Sequence, residues 1–320
     1  MKLGVVLGAG GMVGLAYNAG ALHALHEIGG VDVAGADLIV GTSAGSVVAA
    51  YLRSGWTTQD FWDLAHGRHQ QMEGLAGPNG GADIFVPSFR NPIDLTRRLL
   101  GTTYVLTRSA FRFPAPRLPG WIQAAFPGGM FQMVEGQRRF AAELPSAWPS
   151  APLWLCAVDL VSGRRVVLGR RGTSRATLQE AVLASCAIPG VYQPVRVGHR
   201  VLVDGGAHSS SNLDLAARFG SDVIIGVVPM AFDPASPPGP VGQLMRRVPA
   251  RSLAAEVAYA RRRGAEVLLV RPSAAEVRLH GIDMMRHEGL DAVAQAAYDS
   301  TARWLETPRF QSVLGQLAVA

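Results

Sequence analysis

The stretch LIVGTSAGSVVAAYL, residues 38–52, places a serine between two glycines, where an apolar run meets a helical pattern of small residues. Gly41 and Gly45 each lie two positions from Ser43. A serine in this setting is typical of a nucleophile elbow, in which a strained strand-to-helix turn projects the hydroxyl from the end of a sheet. The N–H of Ala44 would then face a developing oxyanion. The alternative is an ordinary turn in which Ser43 caps the helix with its side chain.

The first 55 residues predict two strand–turn–helix units in succession. The expected strands, turns and helices are, in order, 3–7, 8–14 and 15–28, then 37–40, 41–45 and 46–53. Each strand is a short apolar run, as expected where a sheet is covered on both faces. Two such units favour a parallel sheet with right-handed crossovers and therefore an α/β fold.

The remaining sequence predicts one domain over residues 1–320, with a cap or insertion at about 56–152 and a C-terminal helical tail at about 250–320. A hairpin is expected around Ser162-Gly163 and a pair of strands around Gly198-His199. Between residues 84 and 134 there are six arginines and one acid, Asp94. We interpret this segment as an arginine-rich surface region; a lid or a lipid-contacting patch is the alternative.

Composition narrows the class of protein. The 320 residues are 48% hydrophobic and carry a formal net charge of +6, without a Lys/Arg run of the kind found in nucleic-acid-binding tails. Cys156 and Cys186 make neither a disulfide framework nor a metal knuckle. Glycines interrupt the apolar N-terminus, which argues against a signal peptide, and no apolar run reaches the roughly 18 residues of a spanning helix. We expect a cytoplasmic protein without nucleic acid, metal or cofactor; peripheral membrane contact stays open.

The glycine loop at residues 8–14 permits two interpretations. A glycine turn after a first strand is how dinucleotide folds bind pyrophosphate, and Asp32 lies at a suitable distance for a ribose contact. The spacing argues against this interpretation, because Val13 stands where a fingerprint starting at Gly8 and Gly10 requires its third glycine.

The second interpretation is an oxyanion hole. Here the N–H groups of Gly10 and Gly11, with the dipole of the following helix, would stabilise negative charge on a substrate oxygen. This interpretation also accounts for the neighbouring unit that carries Ser43, which the dinucleotide interpretation leaves unexplained.

A third motif, Asp204-Gly205-Gly206, follows the predicted strand RVLVD. Alone it is a common turn sequence. A serine nucleophile requires a base, however, and Asp204 is a candidate. His208 is the competing candidate, since a Ser43–His208 pair would resemble a Ser-His-Asp triad.

In this order and context the motifs resemble the patatin-like phospholipase family, as does the segment LASCAIPGVYQPV at residues 183–195. The resemblance implies a three-layer α/β/α fold with a mainly parallel central sheet. It further implies a serine hydrolase that cleaves carboxylic esters of lipids (phospholipase A, lipase or esterase type) without metal or cofactor. Ser43 would be the nucleophile and Asp204 the proton acceptor of a dyad, with Gly10, Gly11 and Ala44 as the oxyanion hole.

The sequence departs from the family pattern at two loop positions: Ala9 replaces a glycine and Val13 replaces a basic residue. Loss of one oxyanion donor costs on the order of 10²–10³ in rate, and loss of a nearby charge should cost less. An acyltransferase using the same acyl-enzyme, a dinucleotide-binding protein and an inactive homologue remain alternatives.

Overall fold

A computed structural model describes residues 1–69, 86–87, 89, 91–111, 128–172 and 176–318. Within these ranges the strands are, in chain order, β1 Leu3–Leu7, β2 Leu38–Thr42, β3 Val86–Pro87, β4 Phe131–Gln132, β5 Leu153–Asp159, β6 Arg165–Leu168, β7 Val195–Val197, β8 Arg200–Asp204, β9 Val223–Val227 and β10 Glu266–Val270. The α-helices are α1 Gly11–Glu27, α2 Ala44–Arg53, α3 Thr58–Ala65, α4 Pro92–Phe111, α5 Val134–Glu143, α6 Leu178–Cys186, α7 Asp214–Phe219, α8 Pro240–Arg262, α9 Ala274–His280, α10 Leu290–Leu305 and α11 Pro308–Ala318.

The chain forms two compact units. The segments of the first are Met1–Leu75, Pro149–Trp154 and Ser209–Ala320; those of the second are Ala76–Trp148 and Leu155–His208. Residues 70–85 and 112–127 of the predicted cap lie outside the described residues, and the described part of that segment contains α3, α4 and α5. The prediction of a single domain stays a prediction.

The first unit contains a parallel sheet in the order β10-β9-β1-β2. Its strands are nearly continuous runs of buried apolar residues, which parallel strands require because helices cover both faces of such a sheet. The predicted α/β fold, with a mainly parallel central sheet and helices on both sides, is confirmed.

Helix α1 is buried around most of its circumference and packs closely against α10. A Cβ atom at Gly20 would lie 1.9 Å from the carbonyl oxygen of Ala294, so only glycine allows this approach. The helix begins at Gly11, four residues before the predicted start, because the carbonyl of Gly10 already accepts the N–H of Gly14 at 2.7 Å. The predicted turn over residues 11–14 is therefore wrong.

The second unit contains antiparallel strands in the order β6-β5-β8-β7. Both predicted strand pairs, around Ser162-Gly163 and around Gly198-His199, are confirmed. Val158, Leu160 and Val203 form a buried apolar cluster beneath these strands. Helix α6 begins at a capping box in which Thr177 and Glu180 satisfy each other's backbone N–H groups.

The helical tail predicted at about 250–320 stays a prediction. Helix α8 begins at Pro240, and strand β10 lies between α8 and the later helices, where the apolar run EVLLVRP at residues 266–272 predicts a last strand. Proline suits the first position of a helix, since its missing N–H would have no partner there. Among the residues that the structure describes, no helix combines the length and apolar character needed to cross a bilayer.

Three buried polar side chains, Tyr17, Arg246 and His280, meet inside the first unit. The Arg246 guanidinium donates to the carbonyl of Pro229 at 2.6 Å and to His280 Nδ1 at 3.1 Å. Since arginine can only donate, Nδ1 accepts and the neutral ring carries its proton on Nε2. Neither Nε2 nor the Tyr17 hydroxyl has a hydrogen-bond partner within the described chain. Burial, with smaller effects of Arg246 and Arg286, lowers the pKa of His280 to about 3.

This buried histidine predicts acid sensitivity. The unfolded chain binds a proton at His280 near pH 6.5, whereas the folded chain resists it to about pH 3. The contribution of His280 to stability is therefore complete above pH 6.5 and is lost as the pH falls toward 3, by about 1.4 kcal/mol per pH unit. We expect His280→Gln to flatten this dependence in urea unfolding between pH 7.5 and 4.5.

The matched control is His199→Gln, because His199 is exposed. Its unfolding profile should follow the parent protein over the whole pH range. An unchanged pH slope in His280→Gln would show that other groups govern the acid sensitivity.

Candidate active site

Ser43 occupies a strained turn between β2 and α2. Its backbone angles are φ 53° and ψ −121°, and the only other non-glycine residue with positive φ in the described chain is Asn212. Such a conformation costs on the order of 1–3 kcal/mol and persists only where surrounding structure enforces it. The Ser43 side chain makes no capping bond to α2, so the helix-cap alternative is wrong. The residue is 5% exposed.

The two glycines of the motif are required by close packing. A Cβ atom at Gly41 would lie 2.6 Å from Cα of Ser46, and one at Gly45 would lie 2.0 Å from the carbonyl oxygen of Leu7. The start of α2 thus lies directly against the end of β1. Ser46, which sequence reasoning missed, donates from its N–H and its Oγ to the Ser43 carbonyl, at 2.7 and 2.6 Å.

Asn212 supports the turn from a distant part of the sequence. Its Nδ2 donates to Thr42 Oγ1 at 3.0 Å and to the Ser209 carbonyl at 2.7 Å, which fixes the residue immediately before Ser43. Asparagine tolerates the left-handed conformation found here, φ 55°. No motif marks Asn212 in the sequence, although an Asn after several serines is a common turn signal.

The loop that carries Asn212 is itself held by Glu256 of α8. Glu256 Oε2 accepts from Ser211 Oγ at 2.6 Å and from the Leu213 N–H at 2.8 Å. Burial raises the pKa of Glu256, and the hydrogen bonds from Ser209, Ser211 and Leu213 oppose that shift. The half-buried carboxylate therefore acts as an acceptor for the loop.

The glycine loop at residues 8–14 lies in the first unit, as Ser43 does, and hydrogen bonds hold it on several sides. The Gly8 N–H donates to Val227 O at 2.9 Å, and the Ala9 N–H donates to Ser210 O at 2.8 Å. Asn18, also missed from the sequence, donates to the carbonyls of Gly14, at 2.7 Å, and Gly8, at 3.3 Å. The loop is thus fixed before α1 begins.

The structure brings the loop and the serine turn together. A Cβ atom at Gly45 would lie 2.9 Å from the carbonyl of Gly8, so the start of α2 touches the loop. Within the described residues, the N–H groups of Gly10, Gly11 and Ala44 donate to no acceptor. These amides lie at the starts of α1 and α2, where helix geometry leaves N–H groups without intrahelical partners and favours a negative ligand.

Val13, where the resembled family has a basic residue, is a core position. Its side chain is fully buried and its N–H donates to Met284 O at 3.1 Å. A buried cation lies near the loop and contacts it through Pro229. Arg246 donates to the Pro229 carbonyl, and Cβ of Pro229 lies 3.2 Å from the position that a Cβ atom at Gly10 would take. Arg246 therefore positions the proline that packs on Gly10.

Asp204 belongs to the second unit, at the end of β8, and is 5% exposed. Its N–H donates to Ala187 O at 2.9 Å, and its Oδ1 accepts the Gly206 N–H at 2.7 Å. A Cβ at Gly205 would lie 2.4 Å from the Cys156 carbonyl, so this glycine is required by the neighbouring strand β5. His208 follows this turn and its N–H donates to Gly205 O at 2.9 Å.

The structure disfavours the dinucleotide interpretation of the loop. Asp32 precedes β2 instead of ending it, and its Oδ1 accepts the Gly35 N–H at 2.9 Å within a local turn. The acid of a dinucleotide site follows the second strand, where it reaches the ribose. In the part of the chain that the structure describes, no three His, Cys, Asp or Glu side chains lie close enough to hold a metal ion.

The contact between α2 and β1 predicts that Gly45→Ala destabilises the protein. The added methyl must displace the carbonyl of Leu7, and overpacking of this kind costs about 1–3 kcal/mol or more. We expect a melting temperature several degrees below that of the parent in calorimetry.

Gly315→Ala in α11 is the control, since a Cβ there meets nothing within 4 Å. It should leave the melting temperature unchanged or raise it slightly, because alanine favours helix over glycine. Equal melting temperatures for Gly45→Ala and its parent would contradict the steric argument.

Comparison with known proteins extends these observations. Among solved structures, VipD from Legionella pneumophila aligns at 14% identity with a TM-score of 0.45, over 95% of this chain and 66% of VipD. The type III effector protein ExoU aligns at 16% identity with a TM-score of 0.40, over 95% of this chain and 53% of ExoU. The ExoU–SpcU complex from the type III secretion system of Pseudomonas aeruginosa gives 19% identity and 0.40, over 97% and 52%. The chain thus spans about half to two thirds of these proteins.

The family comparison matches more than half of the chain. Residues 5–217 match the model of the patatin-like phospholipases, a range that contains the glycine loop, the Ser43 turn and the Asp204 turn. The protein belongs to the patatin-like phospholipase family.

Proposed function

We propose that this protein hydrolyses carboxylic ester bonds of lipids through an acyl-enzyme on Ser43, with Asp204 as the proton acceptor. The observation that carries the proposal is the strained backbone of Ser43 beside three amides without acceptors, those of Gly10, Gly11 and Ala44. Family membership supplies the substrate class.

In the proposed reaction, the substrate carbonyl oxygen is directed at the amides of Gly10, Gly11 and Ala44. Asp204 accepts the hydroxyl proton as Ser43 Oγ bonds to the carbonyl carbon. The tetrahedral intermediate then collapses, the ester C–O bond breaks, and the leaving alcohol takes the proton. Water repeats these steps on the acyl-enzyme: Asp204 accepts its proton, and the fatty acid leaves as Ser43 is reprotonated.

The amides supply most of the stabilisation in this scheme, because they are fixed before the substrate arrives. A preorganised donor is worth on the order of 10²–10³ in rate. Val13 contributes no charge at the loop. We therefore propose that backbone donors and the dipoles of α1 and α2 stabilise the oxyanion without a basic side chain in the loop.

Labelling and hydrolysis together test the assignment. Ser43→Ala should lose all reaction with a fluorophosphonate probe and all hydrolysis of p-nitrophenyl esters. Asp204→Asn should lose on the order of 10²–10⁴ in kcat/KM, the usual contribution of a general base. A panel of esters of increasing acyl length reports the chain-length preference.

His208→Ala distinguishes the dyad from the triad. In the dyad, His208 takes no proton and the variant keeps parental kcat/KM. A severe loss in His208→Ala with little loss in Asp204→Asn would overturn the dyad. Circular dichroism of each variant shows whether a loss reflects unfolding.

Added alcohol distinguishes a hydrolase from an acyltransferase, since both use the same acyl-enzyme. With glycerol present, a hydrolase still releases mainly free fatty acid, whereas an acyltransferase releases mainly the glycerol ester. Product analysis by mass spectrometry checks this directly.

A further inference from the structure

The first half of helix α8 presents apolar side chains to solvent. Val241, Leu244, Met245 and Val248 are 48–71% exposed. Their spacing, i, i+3, i+4 and i+7, places them on one face, which is the spacing that normally turns toward a core. A contiguous exposed apolar face of this kind usually marks an interaction surface. We call these four residues the α8 face.

The opposite side of the same turns is occupied by a cation. Arg246 is 4% exposed and bonds to Pro229 O and His280 Nδ1. Rolling the helix to bury the α8 face would break both bonds and expose the guanidinium. Leu253, Val257 and Ala260 are buried on the same side of the helix as Arg246, so these four residues together fix the orientation of α8 and the α8 face must point outward.

The charges around the α8 face are positive. The sequence from residue 239 to 255 contains three arginines and no acid. Arg247 and Arg251 are exposed, lie along one edge of the face by helical spacing, and have no carboxylate partner within the described chain. Helix α9, joined to α8 by the Arg246–His280 bond, adds exposed Arg278 and Leu279.

One more exposed apolar side chain follows α9. Ile282 is 71% exposed. Asp283, which follows it, accepts the Met285 N–H at 2.9 Å. Gly242 and Val277 are in close contact, so α8 and α9 lie side by side.

We propose that the α8 face is a docking surface for an anionic lipid bilayer. An apolar helix face flanked by arginines and free of acids matches the chemistry of the interfacial region, where acyl chains meet negative headgroups. The four apolar side chains would enter the interface, and Arg247 and Arg251 would remain among the phosphates, each strengthening binding electrostatically. A role of this docking in catalysis on bilayer esters rests on the function proposed above. The docking itself does not depend on that function.

Vesicle flotation with the 320-residue Ser43→Ala protein tests docking without lipid turnover. We expect binding to vesicles of phosphatidylcholine with phosphatidylglycerol, weak binding to phosphatidylcholine alone, and release by high salt. Leu244→Ser/Val248→Ser should weaken the partition by at least tenfold. Arg247→Gln/Arg251→Gln should weaken it on phosphatidylglycerol vesicles and remove the salt dependence.

The control is Ile28→Ser, which removes an apolar side chain of 49% exposure at the end of α1. It should bind like the parent. A second readout locates the contact: an environment-sensitive dye on Leu244→Cys, in a Cys186→Ser background, should shift to the blue on vesicles, and a dye on Ile28→Cys should not.

Three results would overturn the proposal. The first is absence of vesicle binding by the parent, and the second is unchanged binding by Leu244→Ser/Val248→Ser. The third is a parent that binds no vesicles but forms a dimer that dissociates in Leu244→Ser/Val248→Ser, which would make the face a contact between copies. Hydrolysis of a soluble p-nitrophenyl ester separates this outcome from failure of the proposed function. If the parent docks on vesicles but has no esterase activity, the docking proposal holds and the proposed function fails. If the parent has esterase activity but does not dock, the docking proposal fails.

Discussion

The structure of the first unit depends on one close approach, that of the start of α2 to the end of β1. The Cα of Gly45 lies so near the Leu7 carbonyl that no side chain fits between them. Because β2 must end and α2 must begin within this space, the single residue that joins them adopts a backbone conformation that other residues avoid. Ser43 is that residue. The same approach places the serine turn against the glycine loop that follows β1, so one steric constraint accounts both for the strain at the serine and for its position beside the loop.

Strain of this kind persists only if the surroundings hold both sides of the turn. Asn212 bonds to Thr42 before the serine, and Ser46 bonds to the serine carbonyl after it. Behind the glycine loop, Arg246 fixes Pro229 against Gly10. These supports consist of buried polar groups whose desolvation is costly unless each is hydrogen-bonded. His280 Nε2, which has no partner within the described chain, is an exception to that rule. Burial of the same ring lowers the pKa of His280 and makes this part of the unit sensitive to acid.

The sequence predicted those elements that local residue patterns determine. Strands β1 and β2 and the β5–β6 hairpin appear as apolar runs between turn residues, and the Ser43 motif carries its own glycine spacing. The sequence missed the helix starts at Gly11 and Ala44. Glycines near these starts are typical of turns, whereas here close packing requires them within the first helical turn. Asn212 could not have been found, since its bond to Thr42 spans 170 residues. The sequence does not mark the start of α8, because Gly239 supplies no capping side chain and Pro249 interrupts the helical pattern.

The orientation of α8 follows from the side chains buried on its inner side, which include both Arg246 and apolar residues. Burying one apolar side chain yields about 1.5–3 kcal/mol, so four left exposed represent a substantial forgone stabilisation. Against this stands the opposite side of the helix, where Leu253, Val257 and Ala260 are buried and the Arg246 guanidinium keeps two acceptors; rolling the helix would expose these apolar side chains and leave a buried charge without its hydrogen bonds. Pro229, which accepts one of the two bonds, also packs on the glycine loop. The inner surface of α8 thus supports the loop, and its outer surface is apolar as a consequence; a partner that covers it recovers free energy that folding alone leaves unused.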